Sequence, residues 1–237
     1  MVIDNLIEMH CHIIPGIDDG SQHMETSLKM IERLKEQGAK KIVLTPHYYS
    51  DTISLSDFLK QRDAAYNALC RKLPAGSPEL IPAAEVYISN YLFNNESLRA
   101  LQYGNSNYVL IEHNFAASFD SADYDRLVNL YCDFGVRPIL AHIERYKAFM
   151  DDPYKLEEYI RMGCLTQVNI SSFAQGHRGT RKKLFKLLSS GMIHLIGSDA
   201  HNLDTRPPEY EEGAKAIIKK CGQEALDRLI ENANKIV

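Results

Sequence analysis

Two histidines one residue apart, His10 and His12, stand where an apolar opening segment, Val2 to Ile7, gives way to polar residues. In a β-strand residues two apart share a face, so both imidazoles project together from the strand's end. Neighbouring imidazoles repel when protonated, and neutral imidazole is a ready metal ligand. The pattern recurs down the chain. Apolar segments with strand character end in His47, in Glu85, in Glu112, in His142, and in the pair Asp199 and His201, while Asp19 sits in the first loop. These five imidazoles and four carboxylates are too many for one tetrahedral ion; they suit two or three divalent ions with shared ligands. Mixed nitrogen and oxygen donors without thiolate favour Mn, Fe or Zn over copper. Three such ions outweigh the four carboxylates in charge, which attracts a phosphate dianion and lowers the pKa of bound water. Arg145 and Arg206 each follow a candidate ligand segment closely enough to fork onto phosphate oxygens.

Elements that place these residues can be read from the same sequence. Strands are expected at Val2–Ile7, Lys41–Thr45, Leu80–Ala84, Tyr108–Ile111, Arg137–Ala141, Leu165–Ile170 and Ile193–Gly197. Helical periodicity falls between them, as in Leu28, Ile31 and Leu34 before Gly38, or Leu127, Leu130 and Phe134 before Gly135. Residues 86–107 are the least regular, with a short helix expected near Glu96–Leu101. Seven β-then-α steps imply parallel strands and right-handed crossovers. The architecture expected is an α/β, TIM-like (β/α)7 barrel, closed or distorted, with residues 1–237 as a single domain. An open doubly wound sheet is the alternative, but the first strand lacks the glycine-rich phosphate loop of that fold. Strand ends of such a barrel converge on one face, where active sites are built.

Composition narrows the class. A net charge of −4 gives no basic footprint for nucleic acid, and no apolar run approaches a membrane span. The five cysteines are widely spaced without CxxC, which fits a reducing compartment, and the N-terminus lacks a basic signal region. A cytoplasmic location without membrane insertion is expected. None of the cysteines has Arg six positions on, so the thiolate loop of conventional tyrosine phosphatases is excluded.

The segments HCHIIPGIDDGS, TPHY, AAEVYI, YVLIE, AHIERY and GSDAHN follow one another in the order of the PHP (polymerase and histidinol phosphatase) superfamily. More closely, the chain resembles the CpsB/CapC-type bacterial tyrosine-protein phosphatases of capsule and exopolysaccharide systems, from His10 to Arg206. That resemblance implies a distorted (β/α)7 barrel, a trinuclear and typically manganese centre, and the nine residues above as its ligands. It places the family's two arginines on Arg145 and Arg206. It also implies hydrolysis of phosphotyrosine on protein by a metal-bridging hydroxide, with a tyrosine-rich tail of a bacterial tyrosine kinase as partner. Three departures stand out: Glu8 where Asp is commoner, Ile143 for Pro, and His113-Asn114 for an apolar-Pro pair. Rival readings are a small-molecule phosphatase acting on a histidinol phosphate-like substrate, a phosphodiesterase, and a non-enzymatic metal-binding regulatory module. His23, His177 and His194 are read as surface or structural histidines, His113 as a positioning residue or part of the substrate mouth, and Asp18 as a turn residue or hydrogen-bond partner of the centre. Tyr48, Tyr49, Tyr87, Tyr91 and Tyr146 are read as packing or as an aromatic-substrate surface.

Overall fold

The computed structural model describes residues 1–237. Its strands are β1 (Leu6–Cys11), β2 (Ala39–Leu44), β3 (His47–Tyr49), β4 (Glu79–Pro82), β5 (Glu85–Tyr87), β6 (Tyr108–Glu112), β7 (Arg137–Leu140), β8 (Leu165–Asn169) and β9 (Leu195–Gly197). The helices are α1 (Met24–Glu36), α2 (Leu55–Cys70), α3 (Ser121–Phe134), α4 (Lys147–Asp151), α5 (Pro153–Arg161), α6 (Arg178–Ser189), α7 (Glu211–Cys221) and α8 (Gln223–Asn234). Every strand pairing is parallel. One sheet runs β1-β2-β4 and the other β3-β5-β6-β7-β8-β9.

Two of the expected strands stop near their expected ends and resume after a short break. Pro46, which has no N–H to donate, separates β2 from β3, and Ala83-Ala84 separate β4 from β5. Pairing continues across both breaks, with Ala83 N–H donating to the Leu44 carbonyl at 2.9 Å and Glu85 N–H to the Pro46 carbonyl at 3.0 Å. Asp199 N–H donates to the His10 carbonyl at 2.7 Å and His12 N–H to the Ala200 carbonyl at 2.8 Å, which joins the last strand to the first. The result is the expected distorted, TIM-like (β/α)7 barrel.

Local chemistry sets the helix ends. Ser54 caps α2 by accepting from Asp57 N–H, and Asp120 caps α3 by accepting from Ala122 and Asp123 N–H. Gly135 ends α3 in the left-handed conformation (φ 66°) that only glycine adopts freely. Strand β1 is buried along its whole length, as a strand covered on both faces must be.

Three expectations are corrected. The first strand begins at Leu6, not Val2, because Val2 is exposed and Asn5 turns the chain at φ 56°. The helix expected near Glu96–Leu101 is instead a pair of 3-10 turns, Asn90–Asn94 and Arg99–Leu101. The short α4 was not expected at all; it follows the turn that carries Arg145.

Helix α7 lies directly on the turn after β8. A Cβ added to Gly213 would sit 2.2 Å from the backbone carbonyl oxygen of Ile170, which cannot swing aside as a side chain could. Gly213→Ala is therefore expected to destabilise the fold by about 1–3 kcal/mol, the usual cost of overpacking a tight contact. Urea unfolding measures it, and an unchanged midpoint would mean that α7 moves freely against this turn.

Candidate metal centre

The strand ends bring all nine candidate ligands to one face of the barrel. Glu85, at the start of β5, lies at their centre. Its Oε2 is 3.1 Å from His10 Nε2, 3.2 Å from His12 Nε2 and 3.2 Å from His47 Nδ1. Its Oε1 is 2.9 Å from His142 Nε2, and that same nitrogen is 3.3 Å from Glu112 Oε1. Asp199 Oδ1 lies 3.5 Å from both His10 and His12 Nε2. Asp19 reaches in from the first loop, 3.4 Å from His201 Nε2 and 3.6 Å from His47 Nε2.

Donor atoms mutually within 4.8 Å fall into three groups: His10, His12, Glu85 and Asp199; His12, Asp19, His47 and His201; His47, Glu85 and Glu112. Glu85 belongs to two of these groups, and a carboxylate, unlike a neutral imidazole with its single lone pair, can bridge two ions. The orientation of the imidazoles fits the same purpose. His12 Nδ1–H donates to Asp18 Oδ2 at 2.7 Å, His10 Nδ1–H to Gln167 Oε1 at 3.2 Å, and His201 Nδ1–H to the Asp199 carbonyl at 2.9 Å. Each bond fixes the proton on the outward nitrogen and leaves the Nε2 lone pair facing inward, as in metal-ligating histidines. His201 Nε2 is buried and has no hydrogen-bond partner, in keeping with a lone pair left for an ion. The residues present therefore fit divalent ions with mixed nitrogen and oxygen ligation.

Backbone geometry supports this placement. Only four non-glycine residues have positive φ, and two of them are His142 (φ 30°) and Asp199 (φ 54°), each just past a strand. Such turns cost energy and persist where the surroundings enforce them. Here His142 N–H donates to Gln167 Oε1 at 2.7 Å, and Asp199 N–H is held by His10 as above. Burial would raise the pKa of Glu85 and Asp199, but positive charge at His10 and His12, a proton or the cation that replaces it, pulls both well below the ordinary carboxylate range. They stay ionised at neutral pH.

Both arginines converge at the mouth. Arg145 Nη2 is 2.6 Å and Arg206 Nη2 is 2.7 Å from the same oxygen, Asp199 Oδ2, with each side chain 35% exposed. Ile143, in place of proline, is fully buried and opens a 3-10 turn closed by Arg145 N–H donating to the His142 carbonyl at 2.9 Å. Glu8 is buried and accepts from His10 and Ser198 N–H, both at 2.9 Å, tying β1 to the end of β9.

Several side readings resolve. Asp18 is a positioning residue: besides His12 it accepts from His47 N–H at 2.9 Å. His23 is an exposed surface residue, while His177 caps α6 by accepting from Gly179 N–H and His194 packs with Thr166, both structural roles. Tyr48 and Tyr146 are core residues, whereas Tyr49 and Tyr91 are exposed.

His113 lines no mouth. Its ring packs 4.7 Å from that of Phe119, and neither ring nitrogen has a partner. Burial, helped by the Arg126 charge, pushes its pKa down to about 3. The unfolded chain takes up this proton near pH 6.5 and the folded chain refuses it until about 3, so stability falls as pH drops through that window. His113→Phe is expected to gain about 2 kcal/mol over the parent between pH 7 and pH 5, at about 1.4 kcal/mol per unit of full slope. Urea unfolding at the two pH values measures this, and parallel pH dependences would contradict it.

Sequence reasoning missed Gln167, Asn169 and Glu144. Asn169 Nδ2 donates to Asp199 Oδ2 at 2.8 Å and accepts at Oδ1 from Gln167 Nε2 at 3.0 Å. Glu144 Oε1 accepts from Asn169 N–H and Ser172 Oγ–H, both at 3.0 Å. The signal was available: Gln167 and Asn169 alternate on one face of a buried strand, where polar side chains need partners.

Comparison with known proteins places the chain among its relatives. The tyrosine-protein phosphatase CpsB of Streptococcus pneumoniae is 30% identical over 246 residues, covering 98% of each chain. The tyrosine-protein phosphatase YwqE of Bacillus subtilis is 29% identical over 239 residues, covering 98% of this chain and 91% of its own. Among solved structures, one from the crystal structures of YwqE from Bacillus subtilis and CpsB from Streptococcus pneumoniae, described as unique metal-dependent tyrosine phosphatases, superposes with a TM-score of 0.80 at 25% identity. It covers 98% of this chain and 94% of its own. The phosphotriesterase homology protein of Escherichia coli shares the fold, with a TM-score of 0.55 at 11% identity over 98% of this chain and 97% of its own. The sequence profile described as "Capsular polysaccharide synthesis, CpsB/CapC" matches residues 6–237, and the chain belongs to that family.

Proposed function

We propose that this chain is a metal-dependent protein-tyrosine phosphatase, a phosphoric monoester hydrolase, with residues 1–237 acting as one domain. The observation that carries this reading is the convergence of nine ligand-type side chains around Glu85, with two arginines meeting at Asp199 on the solvent side. His10, His12, Glu85 and Asp199 would hold one ion, Asp19, His47 and His201 a second, and Glu112 and His142, with Glu85, a third. We assign manganese, with iron or zinc acceptable to the same donors. Bound ions supply Lewis acidity and a water activated at neutral pH.

The protein's own residues do the rest. Asp18 and Gln167 fix the tautomers of His12 and His10, and Asn169 holds Asp199 in place. Arg145 and Arg206 bind the non-bridging phosphate oxygens, orient the monoester and stabilise charge as the ester bond breaks. A phenolate leaving group has a pKa near ~10, so it departs with less protonation than an alkoxide needs. No cysteine takes part: Cys11 is buried with its thiol pushed up by that burial, and burial pushes Cys164 to about 12.

The relatives' names support phosphotyrosine on protein as substrate, and the family's description supports a role in capsular or exopolysaccharide synthesis. The tyrosine-rich tail of a bacterial tyrosine kinase is the partner we propose. Five unpaired cysteines support a cytoplasmic location. The test is side-by-side turnover of a phosphotyrosine peptide, histidinol phosphate and a dinucleotide by manganese-loaded protein. Phosphotyrosine is expected to dominate, and a chelator to abolish its turnover. Preference for either other substrate, or turnover unaffected by chelation, would overturn the reading.

A further inference from the structure

Phe115 lies in the loop after β6 and is 51% exposed, although it stands among charged and polar groups rather than at a shielded edge. Its ring centroid is 5.6 Å from that of His142 and 6.2 Å from that of Tyr146. The Arg145 guanidinium carbon lies 5.7 Å from the same centroid. A second exposed ring, Tyr49, sits 5.2 Å from His47 and 5.7 Å from Tyr87. His47 and His142 contact opposite oxygens of Glu85, so the two exposed rings stand beside the two imidazoles that flank one carboxylate.

Core packing does not account for Phe115. Tyr146, its aromatic neighbour in space, is buried and packs on buried Phe119, while Phe115 keeps half its surface in water. We infer that Phe115 is a specificity-determining residue: its exposed ring stacks on the aryl group of the monoester, with Tyr49 as the further aromatic surface at the same mouth. This rests on the phosphatase reading above. With phosphate drawn to the arginines, the ester oxygen and its substituent extend outward past Arg145, where the ring of Phe115 stands. An aromatic substituent offers a π-face there; a short alkyl substituent offers none. The guanidinium beside Phe115 ties the two recognitions together, since one arginine serves the phosphate and packs on the ring.

The experiment compares binding of phenylphosphonate and methylphosphonate, neither of which can be hydrolysed, to the manganese-loaded protein by calorimetry. The parent is expected to prefer the phenyl compound. Phe115→Ala is expected to cut that preference about tenfold, in line with aromatic pair energies. Phe115→Tyr should retain the preference, and Phe115→Leu, which keeps apolar bulk without a π-face, should lose most of it. A preference unchanged in Phe115→Ala, or equal weakening of both ligands, overturns the inference. Turnover of phenyl phosphate by the parent is measured alongside. Its absence removes the phosphatase reading and the inference with it, whereas turnover with a Phe115-independent preference overturns the inference alone.

Discussion

Glu85→Gln is expected to lower metal-dependent turnover of an aryl phosphate by about 10³-fold or more while the chain still folds. The expected size follows from position. Both carboxylate oxygens face imidazole nitrogens, with Oε2 within 3.2 Å of three of them and Oε1 2.9 Å from a fourth. Glutamine keeps the shape but replaces one oxygen with an NH2 group, which can only donate. Whichever way the amide turns, that donor faces a nitrogen whose lone pair is meant for an ion, and a negative charge shared between groups of donors is gone. Loss of one outer partner of a ligand typically costs 10–100-fold, and Glu85 is itself a shared donor, so the larger figure applies. Metal analysis of the purified variant should show fewer ions per chain, with circular dichroism unchanged. Turnover within tenfold of the parent at full metal content would remove Glu85 from the centre.

Much of this site could be read without coordinates because its placement follows from strand periodicity. Parallel strands buried on both faces read as apolar runs, and a His or a carboxylate at the end of such a run is conspicuous: His47 after Lys41–Thr45, Glu85 after Leu80–Ala84. What stayed hidden depends on contacts between distant residues. Gln167 is an ordinary polar residue in its strand until His10, 157 positions away, donates to it. The left-handed turns at His142 and Asp199 carry no glycine to announce them; tertiary hydrogen bonds impose them. Phe115 escaped notice because an exposed phenylalanine in a loop has no periodicity to break. The break at Pro46 was visible as a residue but not as a consequence, since pairing resumes directly after it. His113 shows the opposite error. A histidine next to a ligand position invites a chemical role, yet its ring turns into an apolar pocket beside Phe119.

Replacing either Arg145 or Arg206 with Met is expected to lower kcat/KM for an aryl phosphate by about 10²–10³-fold, the usual cost of losing one preorganised donor to a developing anion. Metal content should not change, which separates these variants from Glu85→Gln. The reason lies in how the two side chains meet. Both Nη2 groups converge on Asp199 Oδ2 from the solvent side, at 2.6 and 2.7 Å, while Asp199 Oδ1 faces His10 and His12. One carboxylate thus carries the arginines on one oxygen and the imidazoles on the other. Removing one arginine leaves the second, with Asn169 Nδ2 at 2.8 Å, to hold Asp199, so the ligand stays in place and only phosphate contact is lost. Arg→Lys should recover part of the loss, because a single ammonium restores charge without the two-pronged geometry. Product inhibition gives an independent measure: inorganic phosphate should inhibit the Met variants more weakly than the parent. If phosphate inhibition were unchanged while turnover fell, the arginines would serve Asp199 alone, and the phosphate would have to be held elsewhere.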